Sequence, residues 1–473
     1  MQRACVIGSG PNGLAAAILL AQAGMRVEVF EAEVEPGGGA RSLPLTLPGY
    51  LHDFGSAVHP MAAGSPFFNS LPLAEFGLEW VHGEAPLAHP LDDGTAVALE
   101  RDLSEAEREL GPDGRKWASL VGPPAKHWSS FANDAMAPLL RVPHHPLRMA
   151  RFGAAAMRPA RMLAQSHFST PRMKALFAGI AGHSFMSFDQ PFSSSIALVL
   201  GAAAHAVGWP VPRGGARAIS HALIGYLESL GGIVRTGHRI EADSFRALAG
   251  NALMMCDVTP RQLLTLAGDQ LSVGFRLALA DFRLGPGVFK LDYALSEPVP
   301  WRAQACRRAP TVHLGGTMEE IAAAEDDVLH GRIPERPFVL VSQPTLFDPA
   351  RAPHGKHVLW AYCHLPNGST FDMTARIEAQ IERFAPGFRE CILARHISTP
   401  LTLETMDANL AGGDISGGAI SLRQLVLRPT LRGYATSNPR IFLCSSSTPP
   451  GPGVHGMCGF HAARLALSRL RVD

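Results

Sequence analysis

The hydrophobic pattern is clearest near the start of the chain, where two short apolar runs flank a longer helical stretch. Residues 5–7 are apolar, and the Ala- and Leu-rich stretch that follows closes at Gly24. A second apolar run, residues 27–30, ends on Glu31. Short apolar runs bounded by glycine indicate buried strands, and a longer Ala/Leu-rich stretch favours a helix. The pattern therefore predicts a strand, a tight turn, a helix and a second strand.

Two further patterns occupy the rest of the chain. The first again alternates helices with short apolar runs: a helix at 216–230, strands at 233–236, 238–240 and 251–256, a strand from 440 and a final helix through 470. The second is richer in strands, at 288–295, 337–342, 357–363 and 393–398, with an amphipathic helix at 374–384. We expect the first group to complete the sheet begun at residue 5. The second group predicts a separate antiparallel sheet with helices.

The turn after the first strand has the spacing G-x-G-x-x-G. Gly8 permits a tight turn, Gly10 lets a pyrophosphate approach the backbone, and Gly13 lets the helix lie close to the strand. The helix N-terminus then presents free N–H groups and a favourable dipole to phosphates. Glu31 would accept hydrogen bonds from ribose hydroxyls and repel a 2′-phosphate. The predicted contacts of this dinucleotide-binding unit are Gly8, Gly10, Pro11, Asn12, Gly13 and Glu31.

A second glycine cluster at 36–42 indicates which dinucleotide the unit binds. A unit that binds only a nicotinamide cofactor does not need it, whereas an extended FAD needs a second loop over its pyrophosphate. Arg41 could offer a fork of donors to a phosphate or position this loop. Small residues near 55 would let the backbone pass close to a flat ring. The predicted FAD contacts in this part of the chain are Gly37, Gly38, Gly39, Arg41, Gly55 and Ser56.

A third glycine-rich turn precedes the final helix. There the helix N-terminus would point at the flavin ring and stabilise the negative charge of its reduced form. The predicted contacts are Gly453, Val454, His455 and Gly456. His455 is our first candidate for a proton carrier because it lies in this turn, and His59 is the second. Three other histidines are weaker candidates and are more typical of packed structure: His183, His205 and His364.

The fold class that follows is α/β. We predict a glutathione-reductase-like FAD-binding Rossmann domain interleaved with an α+β substrate domain. The FAD-binding domain is discontinuous and comprises 1–75, 205–271 and 421–473. The substrate-binding or lid domain comprises 76–204 and 272–420.

Composition narrows the functional class. The chain has 47% hydrophobic and 18% charged residues and a formal net charge of +1, which gives no overall signal for nucleic-acid binding. Its seven cysteines are scattered and never spaced C-x-x-C, so we expect reduced, buried thiols and no metal site. No signal peptide or membrane-spanning segment is expected, and a cytoplasmic location fits the cysteine pattern.

One stretch has an unusual charge pattern. Between Asp134 and Asp189 there is no acidic residue, and seven basic residues are interleaved with Leu, Met and Phe. A basic, apolar helical stretch can lie on an anionic membrane surface. It can also be a solvated face of a lid, which is the usual interpretation of a charge run. Peripheral membrane contact through 135–188 is therefore one of two interpretations.

Several motifs in this order resemble the phytoene desaturase-like FAD-dependent oxidoreductases, in particular the subgroup of pyridine nucleotide-disulfide oxidoreductase domain-containing protein 2. The motifs are GSGPNGLAAAILLAQAGMRVEVFE, EPGGGARS, HDFGSAVHP, GWPVPRGGARAISHAL, GGIVRTGHRI, APHGKHVLWAYCHLP, GGDISGG and TPPGPGVHGMCGFHAAR. The resemblance implies an extended FAD, a tunnel for an apolar, often polyene, substrate, and Ile240 beside the adenine. Gly39 departs from it, since many members of the wider amine oxidase-like group place arginine there.

The resemblance has limits that affect the expected chemistry. Without C-x-x-C or a second G-x-G-x-x-G, neither disulfide exchange nor a separate NAD domain is supported. The segment between Ile240 and Ala252 is short, so the usual β-hairpin is expected to be missing.

We predict hydride transfer between a hydrophobic substrate and flavin N5. The alternatives are a flavin amine oxidase, a flavin-dependent polyene isomerase and a non-catalytic FAD-bound scaffold. The substrate, the reaction direction, the electron acceptor and the oligomeric state stay open.

Overall fold

A computed structural model of the 473-residue chain describes residues 2–139 and 141–470. The strands are β1 Arg3–Ile7, β2 Arg26–Phe30, β3 Ser42–Leu43, β4 His52–Asp53, β5 Trp80–Val81, β6 Leu87–Pro90, β7 Ala96–Leu99, β8 Val211–Pro212, β9 Ile233–Arg235, β10 Leu253–Cys256, β11 Gly287–Leu295, β12 Thr311–Leu314, β13 Val339–Ser342, β14 His357–Leu365, β15 Ile392–Ser398 and β16 Ile441–Leu443. The α-helices are α1 Pro11–Gln22, α2 Pro60–Ala63, α3 Leu103–Glu109, α4 Gly114–Lys126, α5 Trp128–Ala135, α6 Pro146–Ala156, α7 Ala160–His167, α8 Pro171–Ala181, α9 Ser193–Ala206, α10 Arg217–Ser229, α11 Ala242–Ala249, α12 Pro260–Ala267, α13 Val273–Ala280, α14 Met318–Leu329, α15 Thr374–Phe384, α16 Pro400–Met406, α17 Leu422–Val426 and α18 Met457–Leu470.

The first sheet is parallel and has the order β16-β10-β1-β2-β9. Its strands are apolar because helices cover both faces. On β1, Val6 belongs to the core that includes α1, whereas Cys5 and Ile7 belong to the core that includes α11 and α12. Parallel strands share one carboxyl edge, and ligands of open α/β sheets bind beyond that edge. The first glycine turn, residues 8–10, lies there directly after β1.

The second sheet has the order β15-β11-β14-β13-β12-β6-β7 and is antiparallel except where β12 pairs with β6. Its two faces differ in chemistry because side chains alternate along each strand. One face is apolar, with Leu291 and Ala361 packed in the same core as Ile377 of α15. The opposite face carries the buried polar residues Lys290, Asp292, Tyr362, His364 and His313. This polar face forms one wall of the candidate site.

Helices α1 and α18 cross at unusually short range. A Cβ at Gly459 of α18 would lie 1.8 Å from the carbonyl oxygen of Asn12, so only glycine permits this approach. Gly456, at φ +69°, would place a Cβ 2.6 Å from the Phe68 ring and 3.0 Å from Ala15 Cβ. The crossing fixes the N-terminus of α1 and the last glycine turn relative to each other.

Most elements predicted from the sequence are confirmed, including the helix at 374–384 and all four strands of the second pattern. The strand at 238–240 was wrong. Gly237, at φ +66°, turns the chain. The Gly237 amide donates one hydrogen bond to the Glu33 carbonyl, and the His238 amide donates one to the Glu31 carbonyl. Residues 242–249 form α11 in place of a hairpin. All seven cysteines are buried and free, as predicted.

The two sheets draw on separate parts of the chain. All five strands of the first sheet lie within 1–75, 205–271 and 421–473, and all seven strands of the second lie within 76–204 and 272–420. We propose that these segments are the two domains. Across residues 2–139 and 141–470, no helix combines the length and apolar character needed to cross a bilayer.

Candidate functional site

A cavity of about 600 Å³ extends from the carboxyl edge of the first sheet to the polar face of the second. Residues from all three predicted glycine-rich segments line it. The predicted site residues in its wall are Gly8, Gly10, Pro11, Asn12, Glu31, Gly38, Gly39, Arg41, Gly55, Ser56, Ile240, Gly453 and Val454. The structure therefore brings together segments that are more than 400 residues apart in the sequence.

Three predicted glycines lie just behind this wall and serve close packing. A Cβ at Gly13 would lie 2.2 Å from the Gly8 carbonyl oxygen, which leaves no room for a side chain between α1 and β1. Gly37, at φ +121°, would place a Cβ 2.4 Å from Ser220 Oγ on α10. Gly456 packs against α1 at the helix crossing.

Glu31 lies at the end of β2 and is almost fully buried. Its Oε2 accepts hydrogen bonds from the Ser9 amide at 2.9 Å and the Ser9 hydroxyl at 2.6 Å. Its Oε1 accepts from the Glu33 amide at 2.9 Å. These three donors hold the carboxylate at one end of the cavity wall, where it can still accept hydrogen bonds because each oxygen has two lone pairs.

Asp257, which directly follows β10, is a site residue that the sequence prediction missed. Its Oδ2 accepts a hydrogen bond from the Gly13 amide at 2.9 Å, and a Cβ at Gly10 would lie 2.7 Å from the same oxygen. Burial raises the pKa of this carboxyl to about 7, and the nearby Asp407 and Glu31 add to the shift. Asp257 therefore holds a proton over much of the acidic range, which limits negative charge beside the first glycine turn.

Replacing Asp257 by asparagine tests this protonation. The pKa of Asp257 is higher in the folded state than its usual 3.8. Between about pH 4 and pH 7 the folded state therefore keeps a proton on Asp257 that the unfolded state has lost. The free energy of unfolding then falls as pH rises through that window. Between pH 5 and pH 8 we expect the free energy of unfolding of wild type to fall by about 2 kcal/mol more than that of Asp257→Asn.

The measurement is the thermal unfolding midpoint of both proteins at several pH values. The exposed Asp243→Asn serves as the matched control, since its carboxylate lies at the surface of α11. Equal pH dependence in Asp257→Asn and wild type would contradict a raised pKa at Asp257.

Arg41 positions the second glycine loop. Its Nε donates to the Gly38 carbonyl at 2.7 Å, its Nη2 donates to the Met406 carbonyl at 2.8 Å, and its guanidinium lies over the Phe54 ring. The side chain lines the cavity beside the buried Asp407. Burial raises the pKa of Asp407, and the charge of Arg41 opposes that shift. Of the two roles predicted for Arg41, the structure shows the positioning one directly.

The two histidines predicted as proton carriers lie outside the cavity lining. The Nδ1 of His455 accepts a hydrogen bond from the Met457 amide at 3.0 Å, so the buried ring caps the first turn of α18. His59 is also buried, with Nδ1 3.2 Å from Ser56 Oγ. Burial lowers the pKa of each to about 4. His205, a weaker candidate, accepts from Trp117 Nε1 at 2.8 Å and is structural.

The opposite end of the cavity is an apolar chamber. Its aliphatic and aromatic wall consists of Met61, Phe185, Ile196, Val199, Leu200 and Val288. On its polar side lie His183, Lys290, Trp360 and Tyr362. Helix α9 supplies Ile196, Val199 and Leu200 at helical spacing, so one face of this helix is directed at the chamber.

Lys290 and Asp292 form a buried ion pair in the sheet wall. Burial lowers the pKa of Lys290, and burial raises the pKa of Asp292 to about 6, with the lysine opposing the second shift. The ammonium also lies over the Trp360 ring, whose Nε1 donates to the Gly55 carbonyl at 2.8 Å. The sequence prediction missed this pair. Its signal was the alternation of polar and apolar residues along β11 and β14.

Three comparisons with known proteins agree with this geometry. Residues 6–70 match the NAD(P)-binding Rossmann-like domain, and this range covers the end of β1, all of α1 and β2, and the second glycine loop. Pyridine nucleotide-disulfide oxidoreductase domain-containing protein 2 of Rattus norvegicus is 26% identical over 99% of this chain and 94% of its own length. The phytoene desaturase (lycopene-forming) of Pseudescherichia vulneris is 24% identical over 99% of both chains. The chain is a homologue of these proteins. The resemblance predicted from the motifs is thereby confirmed.

Solved structures support the fold. An oxidoreductase from Methanosarcina mazei aligns with a TM-score of 0.65 at 17% identity, covering 99% of this chain and all of that one. Putrescine oxidase bound to putrescine aligns with a TM-score of 0.61 at 17% identity over the full length of both. The predicted α/β class with a Rossmann-like dinucleotide-binding domain is confirmed. At these identities the solved structures inform the fold alone.

Proposed function

We propose that this homologue of phytoene desaturases is an FAD-dependent oxidoreductase of the desaturase or dehydrogenase type. The observation that carries the proposal is the cavity itself, which joins a dinucleotide-binding edge to an apolar chamber without interruption. A nicotinamide site would need only the first glycine turn, whereas here a second loop faces it. A Cβ at Gly38 would lie 3.1 Å from Gly10 Cα, so the two glycine loops form a narrow cradle.

The residues present fit an extended FAD. Glu31 would hold the ribose hydroxyls, Ile240 would lie beside the adenine, and the loops at Gly10 and Gly38 would enclose the pyrophosphate. Gly453 and Val454 would contact the ring near the N-terminus of α18, whose dipole favours negative charge. FAD supplies a two-electron acceptor at this position. A protonated Asp257 avoids placing a further negative charge against the pyrophosphate.

The substrate is hydrophobic, and a polyene is the class that we favour. The chamber wall offers aliphatic and aromatic contacts, and the side chains of this chain would bind the substrate, orient one C–H bond towards the flavin and exclude water. A cationic amine, the substrate class of the competing amine oxidase interpretation, would meet the ammonium of Lys290 in the same wall. The apolar chamber therefore favours desaturation or dehydrogenation.

Anaerobic titration tests the activity. Phytoene and all-trans-zeta-carotene, delivered in phosphatidylcholine vesicles, are expected to bleach the flavin absorbance, whereas putrescine is not. Bleaching by putrescine alone would support an amine oxidase. A polyene that isomerises only with reduced flavin and without net electron transfer would support an isomerase. No response to any of these probes would support a scaffold.

We propose in addition that part of the basic stretch contacts an anionic membrane. The surface concerned, residues 139 and 141–151, exposes Leu139, Val142 and Leu147 to 64%, 82% and 86% together with Arg148 and Arg151. The buried carboxylate of Asp134 accepts the amides of His144 and His145 at 2.8 and 3.1 Å, so this exposed segment is held in place. Fixed apolar side chains beside arginines are typical of membrane-contacting surfaces.

Three of the other four basic residues of the stretch have partners within the protein. Arg161 pairs with Asp189 at 2.8 Å, Arg158 donates to Ser166 at 2.7 Å, and Arg172 donates to the Ala96 carbonyl at 2.9 Å. The membrane proposal is therefore limited to residues 139 and 141–151. Helix α6 of this surface packs on α9, which lines the apolar chamber, so a docked membrane would lie close to the site of an apolar substrate.

Co-sedimentation with vesicles of phosphatidylcholine and phosphatidylserine tests the surface. Replacing Arg141, Arg148 and Arg151 by glutamine is expected to weaken binding about 100-fold, since each basic residue near an anionic surface contributes about 1 kcal/mol. The control replaces three exposed arginines elsewhere, Arg115, Arg261 and Arg276, by glutamine. Equal loss in both triple variants would indicate a net-charge effect and would count against this surface.

A further inference from the structure

A row of three histidines leads away from the apolar chamber. His183 lines the chamber, and its Nε2 lies 3.0 Å from Nε2 of His313 on β12. His89 belongs to β6, the strand that pairs with β12. Its Nε2 donates to the Gly316 carbonyl at 2.8 Å. Both His313 and His89 are completely buried.

The two inner histidines meet at a glycine. A Cβ at Gly179 of α8 would lie 2.8 Å from His313 Nδ1 and 3.0 Å from His89 Nδ1, so the absence of a side chain lets the rings approach the same point. Neither of these Nδ1 atoms has a hydrogen-bond partner within the described part of the chain. Leaving a buried polar atom unpaired is costly, and both inner rings carry this cost where they approach Gly179.

Burial keeps all three rings neutral. It lowers the pKa of His183 to about 3 and that of His89 to about 4, and it lowers the pKa of His313 well below its usual value. A neutral imidazole has one donor and one acceptor nitrogen, which is the requirement for passing a proton through the ring. The other groups that face His183 are the Trp209 ring and His364, whose Nδ1 contacts the Glu325 carboxylate at 2.8 Å.

The outer end of the row approaches the protein surface. At Gly316, where His89 is bound, a Cβ would lie 2.8 Å from Nη2 of Arg383. Arg383 pairs in turn with Asp92 and Glu320, both of which are partly exposed to solvent. The three rings lie between the chamber and this ion-pair network, but among the described residues a hydrogen bond joins only His183 and His313.

We propose that His183 accepts the proton that the substrate loses in the desaturation proposed above, and that His313 shares the resulting charge through its 3.0 Å contact with His183 Nε2. One C–H bond breaks and its electron pair leaves as hydride to the oxidised flavin. The neighbouring C–H bond breaks, its electrons form the C=C bond, and its proton forms an N–H bond on His183. His183 passes its Nε2 hydrogen to Nε2 of His313, so the two rings share the positive charge, and the proton returns to solvent through the chamber when the product leaves.

Chemical rescue tests the role of His183. In His183→Gly the rate of flavin reduction by phytoene is expected to fall by about 10²–10⁴, the usual contribution of a positioned base, with FAD content unchanged. Added imidazole is expected to restore the rate because it can occupy the vacated space and take the proton. Thiazole has a similar shape but is a much weaker base, and it should not. The exposed His354→Gly is the control.

A second variant and a second readout separate the relay from packing. His313→Asn keeps His183 in the chamber and should slow flavin reduction without rescue by imidazole. The downfield imidazole N–H proton signal of the His183–His313 hydrogen bond should disappear in both variants. An unchanged rate in His183→Gly, or equal rescue by thiazole, would overturn this inference alone. Failure of wild type to react with any of the polyene or amine probes would overturn the proposed function, and this inference with it.

Discussion

Gly10→Val is expected to abolish FAD binding under ordinary conditions, with an affinity at least about 100-fold lower, equal to about 2.7 kcal/mol. A Cβ at this position would lie 2.7 Å from Asp257 Oδ2, and the two methyl groups beyond it would enter the cradle between the glycine loops. The measurement is the ratio of flavin absorbance to protein after purification, followed by titration of the apoprotein with FAD.

The control for Gly10→Val is Gly153→Val on α6, where a Cβ would meet no atom within 4 Å. That variant carries the same side chain in open space, so its FAD content should match wild type. Full FAD occupancy in Gly10→Val would contradict the placement of the pyrophosphate between the two glycine loops, whatever the activity of the variant.

Among the variants proposed here, Gly459→Val should cause the largest decrease in the free energy of unfolding. Because a Cβ here would lie 1.8 Å from the Asn12 carbonyl oxygen, valine must push α18 away from α1. Overpacking of this kind costs about 3 kcal/mol or more. We expect a thermal unfolding midpoint lower by about 5 °C or more. FAD content should fall too, because Asn12 is part of the cavity wall.

Gly274→Val, in a different helix, provides the matched control for Gly459→Val. Gly274 lies in the first turn of α13, and a Cβ there would meet no atom within 4 Å, so the control measures the effect of valine on helix propensity alone. If the two glycine variants unfold at the same temperature, the close crossing of α1 and α18 is not a stabilising contact.

The dinucleotide-binding edge could be predicted from the sequence because its signals are local. The spacing of Gly8, Gly10 and Gly13 and the acid at Glu31 each report a steric or charge requirement of one short segment. The same holds for the second glycine loop and the last turn, since glycine at positive φ marks a sharp turn wherever it occurs. Local signals of this kind placed residues from three distant segments in one cavity wall.

The polar wall of the chamber could not be predicted in the same way because it depends on pairing between distant strands. Lys290 lies opposite Tyr362, and His313 lies opposite Leu340, only once the order of the second sheet is known. The alternation itself was visible, since Lys290 and Asp292 alternate with Phe289 and Leu291 along β11. Polar residues at every second position of a buried strand indicate a face directed at a site.

The position of a histidine in the sequence did not indicate whether its ring lines the cavity, as His455 and His183 show. His455 lies in the last glycine turn, yet its ring is not part of the cavity lining and accepts the Met457 amide of α18, because a helix N-terminus needs acceptors for its amides. His183 was only one of several candidates, and nothing in the local sequence marks it. Its significance depends on the 3.0 Å contact with His313, which is 130 residues away in the chain.

The identity of the cofactor in the purified protein tests directly whether this cavity binds FAD. The visible absorbance spectrum should show oxidised flavin, and denaturation should release FAD in an equimolar amount, because the cavity provides both an adenosine end at Glu31 and Ile240 and a ring end at Gly453. Release of FMN or NAD, or failure to bind flavin after incubation of the folded protein with excess FAD, would contradict the assignment of this cavity.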